Sequence, residues 1–81
     1  MKLEEKLEKA KSLYEKLGFN NFSLKTMRDD EISADFIWVE NARGPGGIII
    51  DDKGELLFCP SIKPFNFYKE EFKKGVRSKK L

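Results

Sequence analysis

Three short apolar segments, ADFIWVE (34–40), IIID (48–51) and LLFC (56–59), follow one another with only turns between them. Short runs rich in β-branched and aromatic residues, bounded by glycine and proline, read as strands. In the first, Phe36 and Trp38 share one face while Ile37 and Val39 share the other. Neither of the next two alternates cleanly with polar residues, so both faces of the resulting sheet are apolar and both need cover. An 81-residue chain buries only a modest fraction of its surface. Ordering each residue costs roughly 1–2 kcal/mol of backbone entropy, so nearly every large apolar side chain must serve the core.

Cover is available on either side. Residues 2–17, KLEEKLEKAKSLYEKL, place Leu3, Leu7, Ala10, Tyr14 and Leu17 at spacings of three and four, with Leu13 widening the stripe. Lysines and glutamates fill the other faces at helical spacing, as in Glu5 and Lys9, and Gly18 supplies a stop. The run is too short for the three to four heptads of a coiled coil, so its stripe is expected on a sheet. Residues 65–74, FNFYKEEFKK, give a second helix with Phe65, Tyr68 and Phe72 on one stripe and Gly75 beyond its end. Between the first helix and Ala34, alternation of Phe22, Leu24 and Thr26 suggests a half-buried strand within 22–28, and Arg28–Glu31 reads as a loop. Pro45-Gly46 suits a type II turn, and Asp52-Lys53-Gly54-Glu55 suits a tight hairpin. The predicted fold class is α+β: one small domain over residues 1–75, helix, antiparallel three- or four-stranded meander, helix. A basic tail, 76–81, is expected to fray.

The chain has no histidine and one cysteine, Cys59. Histidine-dependent catalytic triads, histidine proton shuttles and His-containing or all-thiolate zinc sites are thereby excluded. An intramolecular disulfide is excluded too, and a lone thiol suits a reducing compartment, so a cytoplasmic location is expected. Cys59, between Phe58 and Pro60, reads as a buried small hydrophobe. No apolar run reaches the ~20 residues of a membrane helix. The N-terminal residues carry acids and lack a secretory h-region.

The glycines of Arg43-Gly44-Pro45-Gly46-Gly47 invite a phosphate-binding reading. Pro45 removes a backbone donor, no Gly-Lys-Ser/Thr follows, and the next segment is a strand, so the stretch reads as a connection. Asp51-Asp52-x-Gly-Glu55 lacks the alternating oxygen ligands of a calcium loop and reads as a hairpin tip. The carboxylates Asp29, Asp30, Glu31, Asp35 and Glu40 match no catalytic constellation. No cofactor, metal or membrane partner is expected, and the chain is read as non-enzymatic.

Charge is uneven. Residues 19–62 carry a balance of −4 and residues 63–81 a balance of +5. This asymmetry means either an intramolecular match or a surface for an anionic partner. Two binding readings follow. In the first, apolar residues on both sheet faces exceed what two short helices cover, and Phe36, Trp38 and Phe67 anchor a protein partner or a second copy. In the second, Lys73, Lys74, Arg77, Lys79 and Lys80, near the aromatic rings of the last helix, hold nucleic acid. The order of helices and strands resembles that of double-stranded-RNA-binding domains in topology only. That family's glycine-rich loop and the lysine cluster opening its last helix have no counterpart. Lys79 and Lys80 follow the helix, and residues 61–67 contain only Lys63. Shared order by itself carries no function.

Overall fold

The computed structural model describes residues 1–41 and 46–78. Helix α1 (Leu3–Lys16) leads into four strands, β1 (Leu24–Asp29), β2 (Ala34–Val39), β3 (Gly47–Asp51) and β4 (Leu56–Cys59), and helix α2 (Phe65–Lys73) closes the fold. The strands pair antiparallel in sequence order as a meander. This is the α+β helix–sheet–helix domain that the sequence predicts, with four strands.

The two helices lie on opposite faces, which is how a sheet with two apolar faces is shielded. Against α1 pack Ile37, Val39, Ile48 and Ile50, together with Ala10 and Tyr14 of the helix itself. Against α2 pack Ala34, Ile49, Leu57 and Cys59, joined by Tyr68 and Phe72. The three consecutive isoleucines are thus divided between two cores by the two-residue period of the strand, and none retains any exposure. Expecting more apolar sheet surface than two helices can cover is therefore wrong for the isoleucines: Ile37, Ile48, Ile49 and Ile50 are all enclosed by their own chain.

Helix α1 presents a different line from the leucine stripe. Lys6, Ala10 and Tyr14, at i, i+4 and i+8, are buried, while Leu3 and Leu17 are exposed. The Lys2 N–H donates to the Glu5 carboxylate at 3.0 Å, satisfying one orphan donor at the helix start. Gly18 and Gly75 adopt φ of +95° and +94° just beyond the two helices. Strand β1 runs through Arg28 and Asp29, where the sequence predicts a loop from Arg28; their side chains are fixed by charges from elsewhere in the fold, a constraint that local polarity does not reveal.

The two sheet edges differ. On β4, the outward Leu56 carbonyl accepts from the Ser78 N–H at 2.8 Å, and the outward Phe58 N–H donates to Ser78 Oγ at 2.8 Å. Residues 76–78 therefore dock on the domain beyond the Gly75 boundary, whereas Lys79, Lys80 and Leu81 lie outside the described residues. On β1, the Glu40 N–H donates to the Ser23 carbonyl at 2.9 Å. Alternation from that rung points the backbone groups of Leu24, Thr26 and Arg28 outward. Among the described residues nothing hydrogen-bonds to them.

Candidate functional site

Alternation along β2 places Phe36 and Trp38 on the α2 face. Phe36 packs against the second core, touching the Phe65 ring at a centroid separation of 5.0 Å. Trp38 stacks on Phe36 at 5.3 Å and 28°, and both rings are half-buried. Directly opposite on β1 stand Met27, across from Phe36, and Lys25, across from Trp38. Cross-strand partners share a face, so Met27 continues the apolar row to the open edge. Met27 is 41% exposed. The row is held from below by Gly47. A Cβ there would lie 2.6 Å from the Phe36 ring, and its φ is +133°. Only glycine lets the ring lie this close to β3.

Phe67 does not join this row. Its ring meets Tyr68 edge-on at 5.3 Å and carries the Lys63 ammonium 4.3 Å from its centroid. The Tyr68 hydroxyl donates to the Ser61 carbonyl, fixing the segment before α2. Phe67 and Ile62 are both exposed.

The acidic middle and basic end are matched within the molecule. Lys69 bridges Asp29 at 2.9 Å and Glu31 at 3.2 Å, and Lys73 reaches Glu31 at 3.0 Å. These cations hold the Asp29 and Glu31 carboxyls below their ordinary range. Arg77 lies over the Phe72 ring at 3.4 Å, donates to the Phe72 carbonyl at 2.7 Å, and stands near Asp51 and Glu55. Of the five basic residues proposed for nucleic acid, Lys73 and Arg77 are thus engaged internally. Lys74 is exposed, and Lys79 and Lys80 lie outside the described residues.

Sequence reasoning missed the most enclosed charged group. The Lys6 ammonium, buried under α1, donates to Asp35 and to Asp52, each at 2.7 Å. Arg28 closes the set with bonds of 2.8 and 3.0 Å to the two Asp52 oxygens and a longer one, 3.4 Å, to Asp35. Burial alone would lower the Lys6 pKa; the bonds to Asp35 and Asp52 outweigh it and leave the ammonium favoured beyond its ordinary range. The Asp52 carboxyl is held far below its usual range by Arg28 and then Lys6. Two cations facing two anions leave no reactive proton donor near neutral pH, so the cluster clamps α1 to β1, β2 and the β3–β4 turn. The only legible signal was Lys6 lying four residues before Ala10 on a buried line, and the Lys/Glu pattern masks it.

Cys59 is fully buried, and burial pushes its thiol up to about 12, so it is a core residue without thiolate character. Asp51 Oδ1 accepts from the N–H groups of Lys53 and Glu55, each at 2.9 Å, and Gly54 takes φ +90°, so this acidic stretch is a capped hairpin turn. The Pro45 turn falls outside the described residues. A concavity of about 560 Å³ beside Lys11, Glu15 and Phe22, and one of about 460 Å³ beside Asp51, Asp52 and Arg77, are lined largely by charged or polar groups. That lining differs from the apolar enclosure of ordinary ligand sites. Among the described residues no three His, Cys, Asp or Glu side chains gather to hold a metal, and no helix is long and apolar enough to cross a membrane.

Fold and site together define a small α+β domain, its meander sheet held between two helices, with one edge partly capped by Ser78 and the other open among the described residues. Comparison with protein-family models, curated proteins and solved structures finds no match.

Proposed function

We propose that the protein is a small non-enzymatic interaction module that binds protein through the corner of its sheet formed by Met27, Phe36 and Trp38. The observation behind this reading is the apolar row on the α2 face, which runs from the second core to an open strand edge while its outer members remain accessible. Large aromatics and methionine at a half-covered surface concentrate binding energy, because a partner completes their burial at little further cost in side-chain order. Phe67, with its own cation and a separate location, is a second and smaller anchor. The internal pairing of Lys73 and Arg77 favours protein over nucleic acid as the partner. Cytoplasmic residence fits a lone buried thiol.

The test compares wild type with Trp38→Ser and Phe67→Ala as immobilised baits, after circular dichroism has established that all three fold. Retention of a defined protein set on wild type, lost with Trp38→Ser and largely kept with Phe67→Ala, is the expected result. Equal retention by wild type and Trp38→Ser would refute the assignment.

A further inference from the structure

The geometry points to a second copy of this chain as the occupant of the open edge, with β1 pairing antiparallel to β1 of the partner about a two-fold axis at Met27. This inference rests on reading the Met27–Trp38 corner as a binding surface, and it specifies what binds there.

Three observations carry it. The first is the difference between the edges. Ser78 occupies two of the outward groups of β4, the Leu56 carbonyl and the Phe58 N–H, whereas those of Leu24, Thr26 and Arg28 on β1 have no partner among the described residues. A sheet with one open edge that pairs with itself closes into a dimer of eight strands; two open edges would build a fibre. The second is register. Outward groups alternate, and of the two-fold axes this allows, the one at Met27 makes Thr26 and Arg28 each other's hydrogen-bonded partner while placing the apolar side chain at the centre. Met27 then faces its own copy in a non-hydrogen-bonded pair, where side chains approach most closely. Because Met27 already opposes Phe36, an unbroken apolar row would cross from one second core to the other. The third is charge. Lys25 lies two residues before Met27 and Asp29 two after, with Asp30 and Glu31 beyond. The antiparallel arrangement sets Lys25 against Asp29 of the copy twice over, while a parallel one would set like against like. Within each copy Arg28 pairs with Asp30 and Asp52, and Asp29 and Glu31 pair with Lys69 and Lys73, so the crossing pair adds Lys25 to a carboxylate that already holds one cation.

The test uses the full chain. Wild type should show a mass that doubles with concentration between micromolar and millimolar in analytical ultracentrifugation. Lys25→Glu, whose native ion pair is an exposed 3.8 Å contact with Glu40, should fold normally and raise the dimer dissociation constant about tenfold or more. Under mild oxidation Met27→Cys should form an intermolecular disulfide, because directly opposed Cα atoms of such a pair lie about 4.5 Å apart. Thr26→Cys, opposite Arg28 of the copy, should not, nor should wild type through its buried Cys59. A wild-type mass independent of concentration, with no disulfide from Met27→Cys, would overturn the inference. A disulfide from Thr26→Cys in preference to Met27→Cys would overturn the register. Monomeric wild type whose capture of other proteins still depends on Trp38 would overturn the second copy alone; loss of both would overturn the binding surface as well.

Discussion

Replacing Lys6 with methionine isolates the charge of the clamp from its packing. The aliphatic stem of Lys6 is as enclosed as its ammonium, and methionine approximates that stem, so the substitution removes charge with little cavity. It strands Asp35, whose side chain is 9% exposed, leaving the 3.4 Å contact to Arg28 as its remaining cation. Breaking a buried pair by deleting one partner costs about 3–5 kcal/mol. The surviving Arg28 contact and the exposure of Asp52 place the expected loss near the lower end, about 3 kcal/mol. A domain of this length has roughly 4–12 kcal/mol in total, so the melting temperature should drop by roughly 10–25 °C. Urea unfolding followed by circular dichroism and by Trp38 emission measures the loss. Changing Asp35 to leucine in the same background should recover a substantial part, because an apolar pair leaves no stranded charge. A Lys6→Met protein within about 0.5 kcal/mol of wild type, a range typical of surface substitutions, would refute the buried clamp.

Other perturbations follow from the same contacts. Gly47→Ala must move the Phe36 ring and adopt a positive φ, costing about 2–4 kcal/mol by urea unfolding, whereas Gly75→Ala, with open space around it, should cost about 1–2 kcal/mol for its φ alone. Asp29, Glu31 and Asp52 titrate below their unfolded values, so the unfolded chain binds more protons and stability should fall as acid takes the pH below about 4. Lys6, Lys69 and Lys73 titrate above theirs, so the stability they supply is complete below about pH 10 and is lost as pH rises through the folded values; a pH series of urea midpoints shows both limbs. Ser78→Ala removes the acceptor of the Phe58 amide, and that amide should exchange with deuterium markedly faster than in wild type.

Much of this fold is legible from local pattern. Gly18, Gly54 and Gly75 mark a helix end, a hairpin and a second helix end, and all three have positive φ. Two-residue alternation correctly separates Phe36 and Trp38 from Ile37 and Val39. What local pattern cannot carry is pairing over distance. Lys6 meets Asp35 and Asp52 across 29 and 46 residues of sequence, so on a helix full of Lys and Glu it reads as one more solvated charge. Arg28 and Asp29 read as loop for the same reason: their partners, Asp52 and Lys69, arrive from other elements. The charge asymmetry is visible in sequence, yet only the placement of α2 beside Asp29 and Glu31 decides for an internal match. Phe36 and Trp38 are legible as apolar, but which rings remain accessible depends on where α2 stops covering the sheet.

Trp38 is the chain's sole tryptophan and stacks on Phe36 of the proposed contact row, so its emission and the molecular mass can be read on one sample across a concentration series. The account predicts that mass rises from 9.4 kDa toward twice that value while the emission shifts to the blue along the same curve. A mass fixed at the monomer value, with emission unchanged up to millimolar protein, would contradict it.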